Sequence, residues 1–69
     1  MARERKTGLD EFTERLGLRV GSLRAQKGLT QEILANRIEC GPSHLAKIEN
    51  GTRQPSLDLL FRLAHALRV

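Results

Sequence analysis

The chain has 69 residues, 39% hydrophobic and 29% charged, with 12 Lys and Arg against 8 Asp and Glu for a net charge of +4. That length suits one domain and excludes a catalytic cleft together with the core needed to hold it rigid; the composition excludes a disordered tail, and the positive field favours polyanionic partners. A single cysteine, Cys40, excludes an internal disulfide and a multi-cysteine zinc site, and no apolar run approaches the roughly 20 residues of a membrane span, so the expected setting is the reducing cytoplasm.

Residues 1–8 read as a short basic arm and 9–69 as one compact helical unit. In the first helix, Leu9 to Lys27, the residues Leu9, Phe12, Leu16, Val20 and Leu23 recur at steps of three and four and form one stripe. Asp10, Glu11 and Glu14 complement the positive helix end, and Lys27 followed by Gly28 gives the stop. Gly17 and Gly21, costly inside a helix, predict either a close helix crossing or a weaker N-terminal half. A second helix starts at the capping residue Thr30, has Glu32 in its first turn, turns Leu34, Ala35 and Ile38 inward, and ends near Ile38. Residues 39–43 make a short connection in which Gly41 caps and Pro42 opens a third helix. That helix carries Leu45 and Ile48 inward and stops at Asn50 and Gly51, both suited to left-handed backbone angles. Ser56 caps a fourth helix, with Asp58 in its first turn, that runs through Leu67. Leu57, Leu60, Ala64 and Leu67 are expected on one face. Leu59, Phe61, Leu63 and Ala66 spread further than one small core can cover, which predicts self-association through Leu59, Phe61 and Leu63.

Two short helices joined by a Gly-containing turn and framed by longer ones form the arrangement in which the second short helix reads DNA. The major groove, about 12 Å wide, admits one helix and shows each base pair a distinct donor and acceptor pattern. Ser43, His44 and Lys47 are expected on the outward face, opposite Leu45 and Ile48, and Gln31 toward the sugar-phosphate backbone.

The runs Leu29-Thr30-Gln31-Glu32-Ile33-Leu34-Ala35, Leu45-Ala46-Lys47-Ile48-Glu49-Asn50-Gly51 and Arg53-Gln54-Pro55-Ser56-Leu57 resemble the phage repressor and Cro, or XRE, family. The resemblance covers about Leu16 to Leu67. It implies an all-α, lambda-repressor-like bundle of four or five short helices. It also implies a transcriptional regulator, most often a repressor, that works as a homodimer on a palindromic double-stranded operator without a cofactor. Carried over by position, Gln31 holds a phosphate, Ser43 and Lys47 meet base edges with His44 beside them, and Asn50, Thr52 and Arg53 hold phosphates. Arg24 and Glu49 occupy the positions of a partly buried ion pair.

Two positions depart from the family pattern. Glu39 stands where Gly is common, and either adopts left-handed angles at about 1 kcal/mol or reshapes the turn. Its charge is unfavourable near DNA unless it accepts from a cytosine amino group or turns away. Pro42 replaces a polar residue and offers base edges only an apolar contact, such as with a thymine methyl.

Rival functions are weaker. An antitoxin or coactivator would use the apolar face of the fourth helix to bind another protein. An enzyme would need a paired-carboxylate, Cys/His or Ser/His/Asp constellation, or a phosphate-binding Gly loop, and none is present. His44 and His65 lack partner ligands at metal spacing. Cys40 reads as a small semi-buried hydrophobe before a redox sensor. Arg3, Arg5 and Lys6 suit either contact with DNA or an ordinary solvated terminus.

Overall fold

A computed structural model describes residues 8–69, and the arm residues Arg3, Arg5 and Lys6 lie outside the described residues. Four helices follow in order: α1 (Gly8–Gln26), α2 (Gln31–Arg37), α3 (Pro42–Glu49) and α4 (Leu57–Leu67). Gly8, assigned above to the arm, is the first residue of α1.

Local chemistry sets the ends. The Thr30 hydroxyl accepts from the Ile33 amide at 3.0 Å and the Ser56 hydroxyl from the Leu59 amide at 3.1 Å, so both side chains satisfy donors left over at helix starts. Gly41, in extended geometry, precedes Pro42 at the first position of α3, where a missing N–H costs nothing.

At the C-termini the four helices close alike. After each, one residue turns left-handed: Gly28 (φ 69°), Glu39 (φ 59°), Gly51 (φ 81°) and Arg68 (φ 62°). The next amide reaches back to a carbonyl five residues earlier: Leu29 to Arg24 at 3.1 Å, Cys40 to Ala35 at 2.9 Å, Thr52 to Lys47 and Val69 to Ala64 at 3.0 Å. The turn at Glu39 is therefore not reshaped: a non-glycine residue takes the left-handed geometry itself. At the end of α3 only Gly51 turns left-handed, and Asn50 keeps φ at −88°.

The core sits where α2 and α3 meet α1 and α4. Leu34, Ala35, Leu45 and Ile48 are fully buried, Ile38 and Val20 nearly so. Gly17 explains how α1 comes so close: a Cβ there would collide with the Ile48 carbonyl oxygen and lie 2.7 Å from that of Glu49. The close-crossing alternative thus accounts for the helix-interior glycine.

Two expectations about helix faces are corrected. The α1 stripe seals only in its C-terminal half: Val20 and Leu23 are core, but Leu9 is 56% and Phe12 55% exposed, while Thr13 is buried instead. The Thr13 hydroxyl tolerates burial by donating to the Leu9 carbonyl at 2.8 Å. On α4 the core row is Leu59, Leu63 and Leu67, whereas Leu57 is 83% exposed. Two apolar rows at helical spacing run side by side on α4, and periodicity cannot choose between them. Tertiary anchoring does. Arg62 Nη1 donates to the Ile38 carbonyl at 3.1 Å, a contact between α4 and the end of α2 that goes with the rotation burying Leu59 and Leu63, and Nη2 pairs with Asp58 at 2.7 Å within α4. With only 8% and 1% of their surface accessible, Leu59 and Leu63 are core residues and cannot be contacts to a second copy; Phe61, 71% exposed, still can.

Candidate nucleic-acid interface

Helix α3 presents its outer face because Leu45 and Ile48 hold its inner face in the core. At about 100° per residue, Ser43 and Lys47 fall roughly 130° or more from the centre of that buried face, and His44 only about 70° from it. Burial agrees: Ser43, Lys47 and Pro42 are exposed, whereas His44 is half-buried. The expectation that His44 points outward is corrected, since its Nε2 is buried and makes no hydrogen bond. The ring flanks the core row, so a helical neighbour of Ile48 is drawn under the edge of the helix.

The opposite flank of α3 carries Glu49, and the structure brings it together with Arg24 and Gln31. Arg24 Nε donates to Glu49 Oε2 at 2.7 Å and Nη2 to Oε1 at 3.0 Å, a two-pronged pair with the Arg24 side chain 20% and that of Glu49 10% exposed. Arg24 Nη1 also donates to the Leu29 carbonyl at 2.8 Å. The carboxylate holds the guanidinium above its ordinary pKa, more than offsetting the opposing effect of burial. Gln31 Nε2 donates to the same Glu49 Oε1 at 3.0 Å. One carboxylate thereby joins the end of α1, the start of α2 and the end of α3. Gln31 was expected at a phosphate; its amide nitrogen carries two hydrogens, and Glu49 takes one.

Beyond α3, Asn50 and Thr52 are tied to each other. Asn50 Oδ1 accepts from the Thr52 hydroxyl at 2.6 Å and from the Thr52 amide at 3.1 Å. The hydroxyl proton is therefore engaged, while the Asn50 NH₂ group keeps its donors. Arg53 is exposed beside them, and so is Glu39, in the turn between α2 and α3. Nothing in the sequence signalled the Gln31–Glu49 bond; it depends on how the start of α2 meets the end of α3.

Cys40 is half-buried against the core, and desolvation pushes its thiol pKa up despite the opposing charge of Arg62. A protonated, packed thiol has the character of a small hydrophobe. Among the described residues no three His, Cys, Asp or Glu side chains cluster as metal ligands, and no helix is long and apolar enough to cross a membrane.

Comparison with known proteins agrees with this geometry. The helix-turn-helix family HTH_3 matches residues 20–69. The HTH-type transcriptional regulator y4dJ of Sinorhizobium fredii is 39% identical over 54 residues, covering 78% of this chain and 70% of that protein. Among solved structures, the restriction-modification controller protein C.AhdI from Aeromonas hydrophila is similar with a TM-score of 0.81 and 36% identity, over 86% of this chain and 89% of that one. The clp gene regulator ClgR from Corynebacterium glutamicum gives a TM-score of 0.79 and 38% identity, over 81% and 60% of the two chains.

Proposed function

The chain belongs to the helix-turn-helix family of DNA-binding transcriptional regulators, and from that premise we propose that α3 is the recognition helix and that two copies sit on a palindromic operator. The observation that carries the reading is the outer face of α3, where Ser43 and Lys47 stand exposed on a helix whose other face is sealed by Leu45 and Ile48. Lys47 suits guanine O6 and N7, Ser43 suits either base of a pair, and Pro42 suits a thymine methyl. His44 contributes only its outer edge.

Phosphate contacts position the helix. Gln31 offers its second amide hydrogen, Asn50 its NH₂ group and Arg53 its guanidinium. Thr52 acts by holding Asn50 Oδ1, which turns the Asn50 donors outward. The arm residues Arg3, Arg5 and Lys6 add positive charge to the chain that a polyanion would attract. For the dimer, Phe61 supplies the apolar contact, with its ring stacked on His65 at 6.4 Å between centroids. A two-fold pair of α3 helices would enter the same face of the duplex about 34 Å apart and repress by occupying promoter DNA.

Selection from a pool of randomised duplexes tests the whole reading: recovery of an inverted repeat with half-sites one helical turn apart supports it. Lys47→Ala should weaken the selected site by roughly 1–3 kcal/mol and relax preference at one position. Binding that ignores both salt and Lys47 would sink the assignment of α3. A strictly monomeric protein on its operator, by sedimentation, would remove the dimer alone.

A further inference from the structure

Gln31 stands half-buried at the start of α2, and its side chain is not left free to choose an orientation. A glutamine amide rotates broadly about its last torsion, so an unconstrained one presents its carbonyl outward as readily as its NH₂ group. The carbonyl would meet a phosphate oxygen as one acceptor meets another. Here Gln31 Nε2 donates to Glu49 Oε1 at 3.0 Å, which fixes the amide and keeps its nitrogen, with the second hydrogen, where α2 begins and α3 ends.

The acceptor is itself held. Oε1 also receives Arg24 Nη2 at 3.0 Å, Arg24 Nε donates to the other carboxylate oxygen at 2.7 Å, and Arg24 Nη1 is anchored on the Leu29 carbonyl at 2.8 Å. Gly21 completes the cradle: a Cβ there would lie 3.3 Å from Oε1, tighter than an ordinary van der Waals contact. This second helix-interior glycine of α1 leaves room for the carboxylate, as Gly17 leaves room for the backbone of α3. Charge fits the same purpose. A bare carboxylate behind Gln31 would repel the phosphate, and the two-pronged contact of Arg24 offsets it.

We propose that Glu49 is a positioning residue for DNA binding: neutralised by Arg24 and given room by Gly21, it aims the free amide hydrogen of Gln31 at a backbone phosphate before DNA arrives. This rests on the reading that Gln31 meets a phosphate. It adds that the ion pair, besides tying α1 to α3, acts on affinity through Gln31. A donor aimed in advance spares the ordering of a long side chain on association. Charge alone predicts the opposite sign, because removing an acid from a chain of net charge +4 would strengthen its hold on a polyanion.

The test is a cycle of Gln31→Met and Glu49→Gln, read as affinity for the duplex recovered from the randomised pool, well below the melting temperature of every variant. Gln31→Met should weaken binding by roughly three- to tenfold, the worth of one hydrogen bond. Glu49→Gln should also weaken it, and in the Gln31→Met background should weaken it no further. Thermal melts should instead show Glu49→Gln costing stability in both backgrounds, since the charged pair with Arg24 is lost in each. Tighter binding by Glu49→Gln, or affinity losses that add, overturns the proposal. A second measurement needs no variant. In NMR relaxation of the free protein the Gln31 side-chain amide should be ordered and that of the exposed Gln26 mobile; equal mobility of the two overturns the proposal as well. Lys47→Ala, measured alongside, separates this inference from the reading beneath it. A loss of affinity in Lys47→Ala but none in Gln31→Met leaves α3 as the recognition helix and removes the positioning role; indifference to both removes the two together.

Discussion

Helices α2 and α3 and the seam between α1 and α4 are built from the same aliphatic residues, yet one is sealed and the other open. Around α2 and α3, glycine brings backbones into contact, Leu34 and Leu45 reach zero exposure, and a single carboxylate links three helices. Along α1 and α4, Leu9, Phe12 and Leu57 stay more than half exposed. The difference shows that hydrophobic spacing supplies surface, while closure requires small residues and directional polar contacts at the crossing. The sealed part carries the face proposed to read DNA, where a shift of position would misplace every side chain that face presents.

Substitutions sharpen this contrast in a clear order. Gly17→Val places carbon against two backbone oxygens that cannot move without dragging α3, and should destabilise by about 3 kcal/mol or more. Urea denaturation reads the loss, and an unchanged midpoint would mean that the crossing is adjustable. Glu49→Ala should follow at about 2 kcal/mol, because it leaves Arg24 half-buried without its partner and releases Gln31. A double-mutant cycle with Arg24→Ala separates pair from remainder; additive losses would show that the two side chains do not couple.

The next effect has the opposite sign. Glu39→Gly relieves a left-handed non-glycine residue and should stabilise by about 1 kcal/mol, visible as a raised melting temperature. Destabilisation would mean that the Glu39 side chain makes a compensating contact. Smallest of all, Phe12→Ser at the open seam should change stability by less than about 1 kcal/mol. A loss comparable with that at Glu49 would show the seam to be part of the core.

Sequence made most of the scaffold legible. Thr30, Ser56, Gly41-Pro42, Gly28 and Gly51 are local signals whose geometry depends on a few neighbouring residues, and each marks the helix end it announced. The rotation of α4 was not legible, because Leu57-Leu60-Ala64 and Leu59-Leu63-Leu67 satisfy the same period and only tertiary contacts, core packing and the bond of Arg62 to Ile38 among them, separate them. The N-terminal half of α1 failed for a related reason: its stripe continues past the point where another helix covers it. Within the site, exposure of Ser43 and Lys47 followed from spacing. The burial of the His44 nitrogen and the engagement of the Thr52 proton by Asn50 did not, since both depend on side-chain directions that a residue pattern does not carry.

The paired closures at Glu39 and Gly51 bear on how binding is driven. Each pins the backbone at one end of α3 through hydrogen bonds that are complete before any ligand arrives: Cys40 to Ala35 ahead of the helix, Thr52 to Lys47 behind it. A helix clamped at both ends has little conformational entropy left to lose on association. Its heat-capacity change on binding is then set by the surface removed from water, without the larger contribution of a segment that folds as it docks.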